Sequence, residues 1–148
     1  MMMVDIPPDL SDNDKNVLLE QWRTCVEMAD HISSRRDTMN SLFITINLSL
    51  IAAISLSWQG KSIIIAVSGV VLCYLWYHLI EYYRNLNNAK FEVILALEKG
   101  LPSQPFSKEW DSFEKKKSQE GTTLEKILPA VFILLHAGLS AYIALMAV

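Results

Sequence analysis

Polar and apolar stretches alternate along the chain, and two apolar runs, Met39 to Trp58 and Ser62 to Ile80, are parted only by Gln59, Gly60 and Lys61. A helix rising about 1.5 Å per residue needs roughly 20 residues to cross a hydrocarbon core of about 30 Å, and each run has that length. A third run, Ile127 to Val148, follows a polar stretch. The pattern predicts an all-α integral membrane protein with three transmembrane helices, over residues 39–58, 62–81 and 127–147. No period-2 strand pattern competes with them.

The flanking segments are amphipathic. Ser11 with Asp14 fits a capping box, and Leu18, Trp22, Cys25, Ala29 and Ile32 follow at steps of three and four, which predicts a helix over 12–37. No Pro or Gly intervenes before Ser57, so this helix either continues straight into the first span or bends near Arg35 to Asn40. Beyond the second span, Leu86, Ala89, Val93, Ile94 and Leu97 predict a helical extension over 82–99. Gly100, suited to a left-handed C-cap, and Pro102 end it. The two extensions pack against each other within one chain, or also against other subunits.

The segment 101–122 is a connector of different character, with Phe106, Trp110 and Phe113 among Lys108, Lys115, Lys116 and Lys117. It reads either as a short helix at the membrane interface or as a surface loop capping the extensions. Thr122 with Glu125 offers a second capping box, and Pro129 falls in the first turns of the third span. The organisation is thus an N-terminal segment 1–11, an extension–hairpin–extension unit 12–100, the connector 101–122, and the third span within 123–148.

Charge sets an orientation. Residues 1–38 carry eight acids and four Lys/Arg, and Glu81 to Lys126 carries eight of each, whereas the hairpin turn holds Lys61 alone. Basic residues near span ends stay cytoplasmic, so the N-terminus and the connector are expected in the cytoplasm and the C-terminus outside. Met1 to Leu10 contains acids and a Pro7-Pro8 pair where a signal peptide needs a positive start and an apolar core, so the first span is expected to be a retained anchor. With net charge −3, neither polar segment is basic enough to mark nucleic acid as a partner. Cys25 lies in a polar helix and Cys73 inside a span, which argues against a disulfide within the chain.

Polar residues inside the spans need partners, because lipid offers none. In the first span Asn40, Asn47 and Ser55 fall near one face, and Ser41, Thr45 and Ser49 form a second polar stripe. In the third, His136 lies near the middle and shares a face with Ser140. Two readings stand for Asn40, Thr45, Asn47, His136 and Ser140: interhelical hydrogen bonds that fix packing, with His136 bonded to Asn47, Thr45 or Ser140, or the lining of a pore. Ser62, Ala66, Gly69 and Cys73 make a small-residue stripe that predicts close contact with the first span or with another subunit. Tyr77, Tyr82, Tyr83 and Trp110 are candidate interfacial anchors.

The chain carries no phosphate-binding loop, HExxH, paired zinc cysteines, nucleophile elbow or intramembrane carboxylate. Neither catalytic nor cofactor-binding nor metal-ligating residues are expected, and the protein is expected not to be an enzyme.

Two stretches carry a likeness: Glu27 to Asn40 (EMADHISSRRDTMN), entering the first span, and Trp76 to Glu92 (WYHLIEYYRNLNNAKFE), leaving the second. They resemble the small bacterial membrane proteins described as the RipA family of octameric membrane proteins. The likeness extends over roughly Leu18 to Phe113, including Leu101 to Phe106, and is weaker in the third span. The resemblance implies a bacterial inner-membrane location and a ring-like homo-oligomer, an octamer, and no catalytic residue. The expected function is a homo-oligomeric, non-enzymatic membrane assembly with a cytoplasmic helical collar, acting as a pore or a scaffold. The alternative is a membrane-anchored adaptor for a cytoplasmic protein, or a small transporter.

Overall fold

A computed structural model describes residues 11–56, 62–114 and 120–146, with the side chains of all but 110–124. Four helices follow one another: α1 (Asp12–Leu56), α2 (Ser62–Glu98), α3 (Pro105–Glu114) and α4 (Glu120–Met146). There is no strand among the described residues. α1, α2 and α4 are each long and apolar enough to cross a membrane. The first extension and first span are thus one helix, and so are the second span and its extension. The hairpin turn, Gln59 to Lys61, lies outside the described residues.

α1 opens with the expected capping box, in which Asp14 N–H donates to Ser11 Oγ at 3.3 Å and Ser11 N–H donates to Asp14 Oδ2 at 3.2 Å. Two of the otherwise orphaned amides of the first turn are satisfied this way. The end of α2 differs from expectation. No described glycine has a positive φ, and the helix closes instead through bonds from Gly100 N to Leu97 O and from Leu101 N to Glu98 O. These are i to i+3 bonds, the tighter winding that satisfies terminal carbonyls without a left-handed residue. α4 also differs, because it is already helical at Glu120 and so runs past Thr122. Glu125 points to Arg36 rather than back to a cap, and Pro129 lies in the helix interior, where it denies the Glu125 carbonyl its donor. Membrane helices tolerate such a proline when neighbouring groups surround the freed carbonyl.

The chain forms two compact units, each discontinuous in sequence. One comprises the described residues up to Arg35 with Tyr83–Glu120, and the other Arg36–Tyr82 with the described residues from 121 onward. In the first unit Leu18 and Ala29 of α1 are buried, as are Ile94 and Leu97 of α2. Trp22, Cys25 and Ile32 are half-buried, whereas Ala89 is exposed, so the apolar stripe of the second extension is narrower than its spacing suggests. α3 packs here through Phe106, whose ring lies 5.7 Å from Trp22 and 6.3 Å from Phe91. The connector therefore contains a helix rather than being a loop throughout.

In the second unit α1, α2 and α4 pack mutually. Trp76 of α2 is fully buried, stacked on Phe43 of α1 at 5.5 Å and tilted against Phe132 of α4 at 6.1 Å. Farther along, Ile54, Ala66 and Ile143 form a second buried cluster drawn from the same three helices.

Candidate functional site

At the centre of the second unit three polar side chains, one from each helix, meet with no exposed surface: Asn47, Cys73 and His136. The Asn47 Nδ2 group donates to its own helix at Phe43 O, 2.8 Å away. That bond fixes the amide orientation, since a flip would set two oxygens against each other. Asn47 Oδ1 then accepts from Cys73 Sγ at 3.0 Å and faces His136 Nε2 at 3.0 Å. An oxygen can only accept, so Nε2 carries a proton, and in the neutral imidazole Nδ1 is then the bare nitrogen. Nδ1 is buried without a hydrogen-bond partner.

Gly69 explains how the ring fits. Its Cα lies against His136 so closely that a Cβ at position 69 would overlap the imidazole. The whole stripe Ser62, Ala66, Gly69 and Cys73 is buried, as its small side chains lead one to expect. Within it Cys73 bonds Asn47 of the first span, while Gly69 lies against the third, where the imidazole needs a slot that only glycine leaves open.

The other sequence candidates separate. Asn40 Oδ1 accepts from Trp76 Nε1 at 2.8 Å, a second amide anchoring α2 to α1. Thr45 stands two residues from Asn47, hence on nearly the opposite face, and is exposed; its hydroxyl donates to Ser41 O at 2.9 Å. It is not a partner of His136. Ser140 donates to the His136 carbonyl at 2.8 Å and not to the ring, and Ser55 is exposed and bonded to Ile51 O. Of the anchors, Tyr77 lies beneath Lys126 Nζ, 4.8 Å from the ring centroid, Tyr82 is exposed, and Tyr83 is half-buried in the first unit. The Trp110 side chain lies outside the described residues.

Charged pairs close the α4 end of this unit: Arg36 with Glu125 at 3.4 Å, and Lys126 with Glu81 at 3.2 Å. Each ties α4 to a different helix. In the first unit the missed residue is Glu98, fully buried at the end of α2. Its two carboxylate oxygens accept from Phe106 N–H and Ser107 N–H, both at 2.9 Å. These are first-turn amides of α3, which starts on Pro105 and lacks a Ser, Thr, Asp or Asn cap beside it. A carboxylate suits the positive helix end, and it holds α3 to α2. The available signal was an acid following Leu97 in an apolar stripe, with a proline-led helix seven residues on.

The arrangement supplies interhelical bonds; among the described residues no group of three His, Cys, Asp or Glu side chains could hold a metal ion.

Three membrane-length helices locked by buried amide and imidazole groups define a polytopic α-helical membrane protein. A family model, the octameric membrane protein family (8xMP), matches residues 19–146, and the chain belongs to that family. No curated protein and no solved structure matches it.

Proposed function

We propose that the chain is the subunit of a homo-octameric, non-enzymatic assembly of the bacterial inner membrane that encloses a passage, with its N-terminus and connector in the cytoplasm. The carrying observation is membership of an octameric family by a chain whose deep polar groups, Asn47, Cys73 and His136, already bond one another inside one subunit. The subunit is then a finished building block, and activity belongs to what eight of them surround. Eight helices in a ring at contact distances of about 8 to 10 Å leave a central opening roughly 5 to 8 Å in radius, too wide for side chains alone to seal. The first compact unit, which carries the helical extensions, forms the cytoplasmic collar of this assembly.

The test is purification in mild detergent, mass determination, and reconstitution into liposomes loaded with ions or a small dye. Octamers that release the contents support the reading. Octamers that leave liposomes sealed overturn the passage and leave a scaffold. An adaptor role is favoured by one observation, an open groove in the first unit of about 650 Å³ lined by Val17, Gln21, Cys25, Val93 and Leu97. Octamers that seal liposomes and retain a cytoplasmic protein on that groove would support it.

A further inference from the structure

In a closed ring each copy meets its neighbours through two unlike faces, because rotation carries one side of a subunit onto the opposite side of the next. The second unit has two faces suited to that. On α1, Ser41, Thr45, Ser49 and Ala52 are exposed along one stripe, and the hydroxyls of Thr45 and Ser49 bond the carbonyls one turn back at 2.9 and 2.8 Å. Hydroxyls satisfied by their own helix demand no water, and small side chains let backbones approach. On α4, Ala130, Ala137, Ala141 and Ala144 are exposed, and beside them Gly138 has open space where a Cβ would stand. The outer face of α2 is different, with Ile64, Val67, Val71, Tyr74 and Leu75 half or more exposed.

The two small faces are also in register. α1 and α4 run parallel, and His136 bonds a residue 89 positions before it. The same separation relates Glu125 to Arg36, and Ile143 to Ile54 in their shared cluster. Residue n of α1 therefore lies level with residue n+89 of α4 along the whole span. Rotation about an axis normal to the membrane leaves depth unchanged, so the same pairs lie level between neighbouring copies. Ser41 is then level with Ala130 of a neighbouring copy, and Ala52 with Ala141. Between them Leu48, itself exposed, meets Ala137, and the exposed Leu134 meets Thr45, a large side chain against a smaller one at each level.

We propose that the occupant of the α1 stripe is α4 of a second copy of this chain, docked with the 89-residue register. The proposal rests on the octameric reading above and adds to it the faces and the depth of contact.

The test uses the full chain in native membranes with Cys25→Ser as background, Cys73 being buried. Chains carrying Ala52→Cys with Ala141→Cys, or Ser41→Cys with Ala130→Cys, are oxidised, and their masses before oxidation are read by native mass spectrometry. The expected result is a ladder of covalent oligomers reaching the octamer from each pair and none from either cysteine alone. Ser41→Cys with Ala141→Cys, offset by 11 residues or about 16 Å in depth, should give no ladder. Octamers that fail to cross-link through the in-register pairs, or that give covalent dimers through a single Val71→Cys on α2, overturn the face assignment. Absence of octamers in the unsubstituted chain overturns the octameric reading itself, and this proposal with it. As an independent readout, Ala52→Phe should convert octamers to smaller species with helicity unchanged; intact octamers would overturn the docking.

Discussion

Replacing Asn47 with Leu removes the one acceptor that joins three helices. The His136 Nε2–H, fully buried, then points at hydrocarbon, and the Cys73 thiol loses its partner as well. An orphaned buried donor costs about 1 to 3 kcal/mol, and interhelical hydrogen bonds in membranes contribute roughly 0.5 to 2 kcal/mol, so the single change should destabilise the protein by about 1.5 to 3 kcal/mol. His136→Leu leaves Asn47 Oδ1 still accepting from Cys73 and should cost less. In the double variant no orphaned imidazole remains, so its loss should fall short of the sum of the two singles by about 1 kcal/mol. The assay is equilibrium unfolding in bicelles or detergent, followed by circular dichroism, for the four chains of this cycle. Losses that add within about 0.3 to 0.5 kcal/mol would show that the two side chains act independently, and would refute the node.

Three further outcomes are expected. Gly69→Ala forces a methyl group into the imidazole and should cost about 1 to 3 kcal/mol in the same unfolding assay, with His136→Ala restoring part of the loss by vacating the slot. Glu98→Ala should cost about 1 to 2 kcal/mol and raise hydrogen exchange at the Phe106 and Ser107 amides specifically, while Glu98→Gln, which keeps one acceptor oxygen, should protect one of the two. Trp76→Phe deletes the bond to Asn40 but keeps the apolar ring, and should cost about 0.5 to 1.5 kcal/mol beyond the lost packing volume, read as a lower denaturant midpoint.

The spans were legible because twenty apolar residues in a row have few other uses, whereas the joining of the first span to its extension stayed open, since the lack of Pro or Gly from Asp12 to Leu56 permits a straight helix without ruling out a bend. Asn47 and His136 were legible as a pair in need of partners, since depth in the membrane constrains them more than sequence context does. Which partner each takes was not legible. Thr45 competes with Asn47 on composition, and only the rotation of α1 about its axis, set by packing of its Phe43 against Trp76 and of its Ile54 with Ala66 and Ile143, turns one inward and the other out. The Gly100 left-handed cap was a reasonable expectation from residue type, yet two i to i+3 bonds satisfy the same carbonyls. Glu98 was missed because its role depends on where α3 returns, a long-range contact that helical periodicity does not encode.

The slot at Gly69 also bears on how the protein is made. α1 and α2 precede α4 in the chain, so the hairpin can enter the membrane with Asn47 and Cys73 already joined and with an unfilled notch in α2. His136 arrives later and seats in it, which makes α4 the keystone that turns an inserted hairpin into a finished subunit. On the docking proposed above, octamer assembly waits for that step, because the alanine face offered to the neighbour is carried by the helix that comes last.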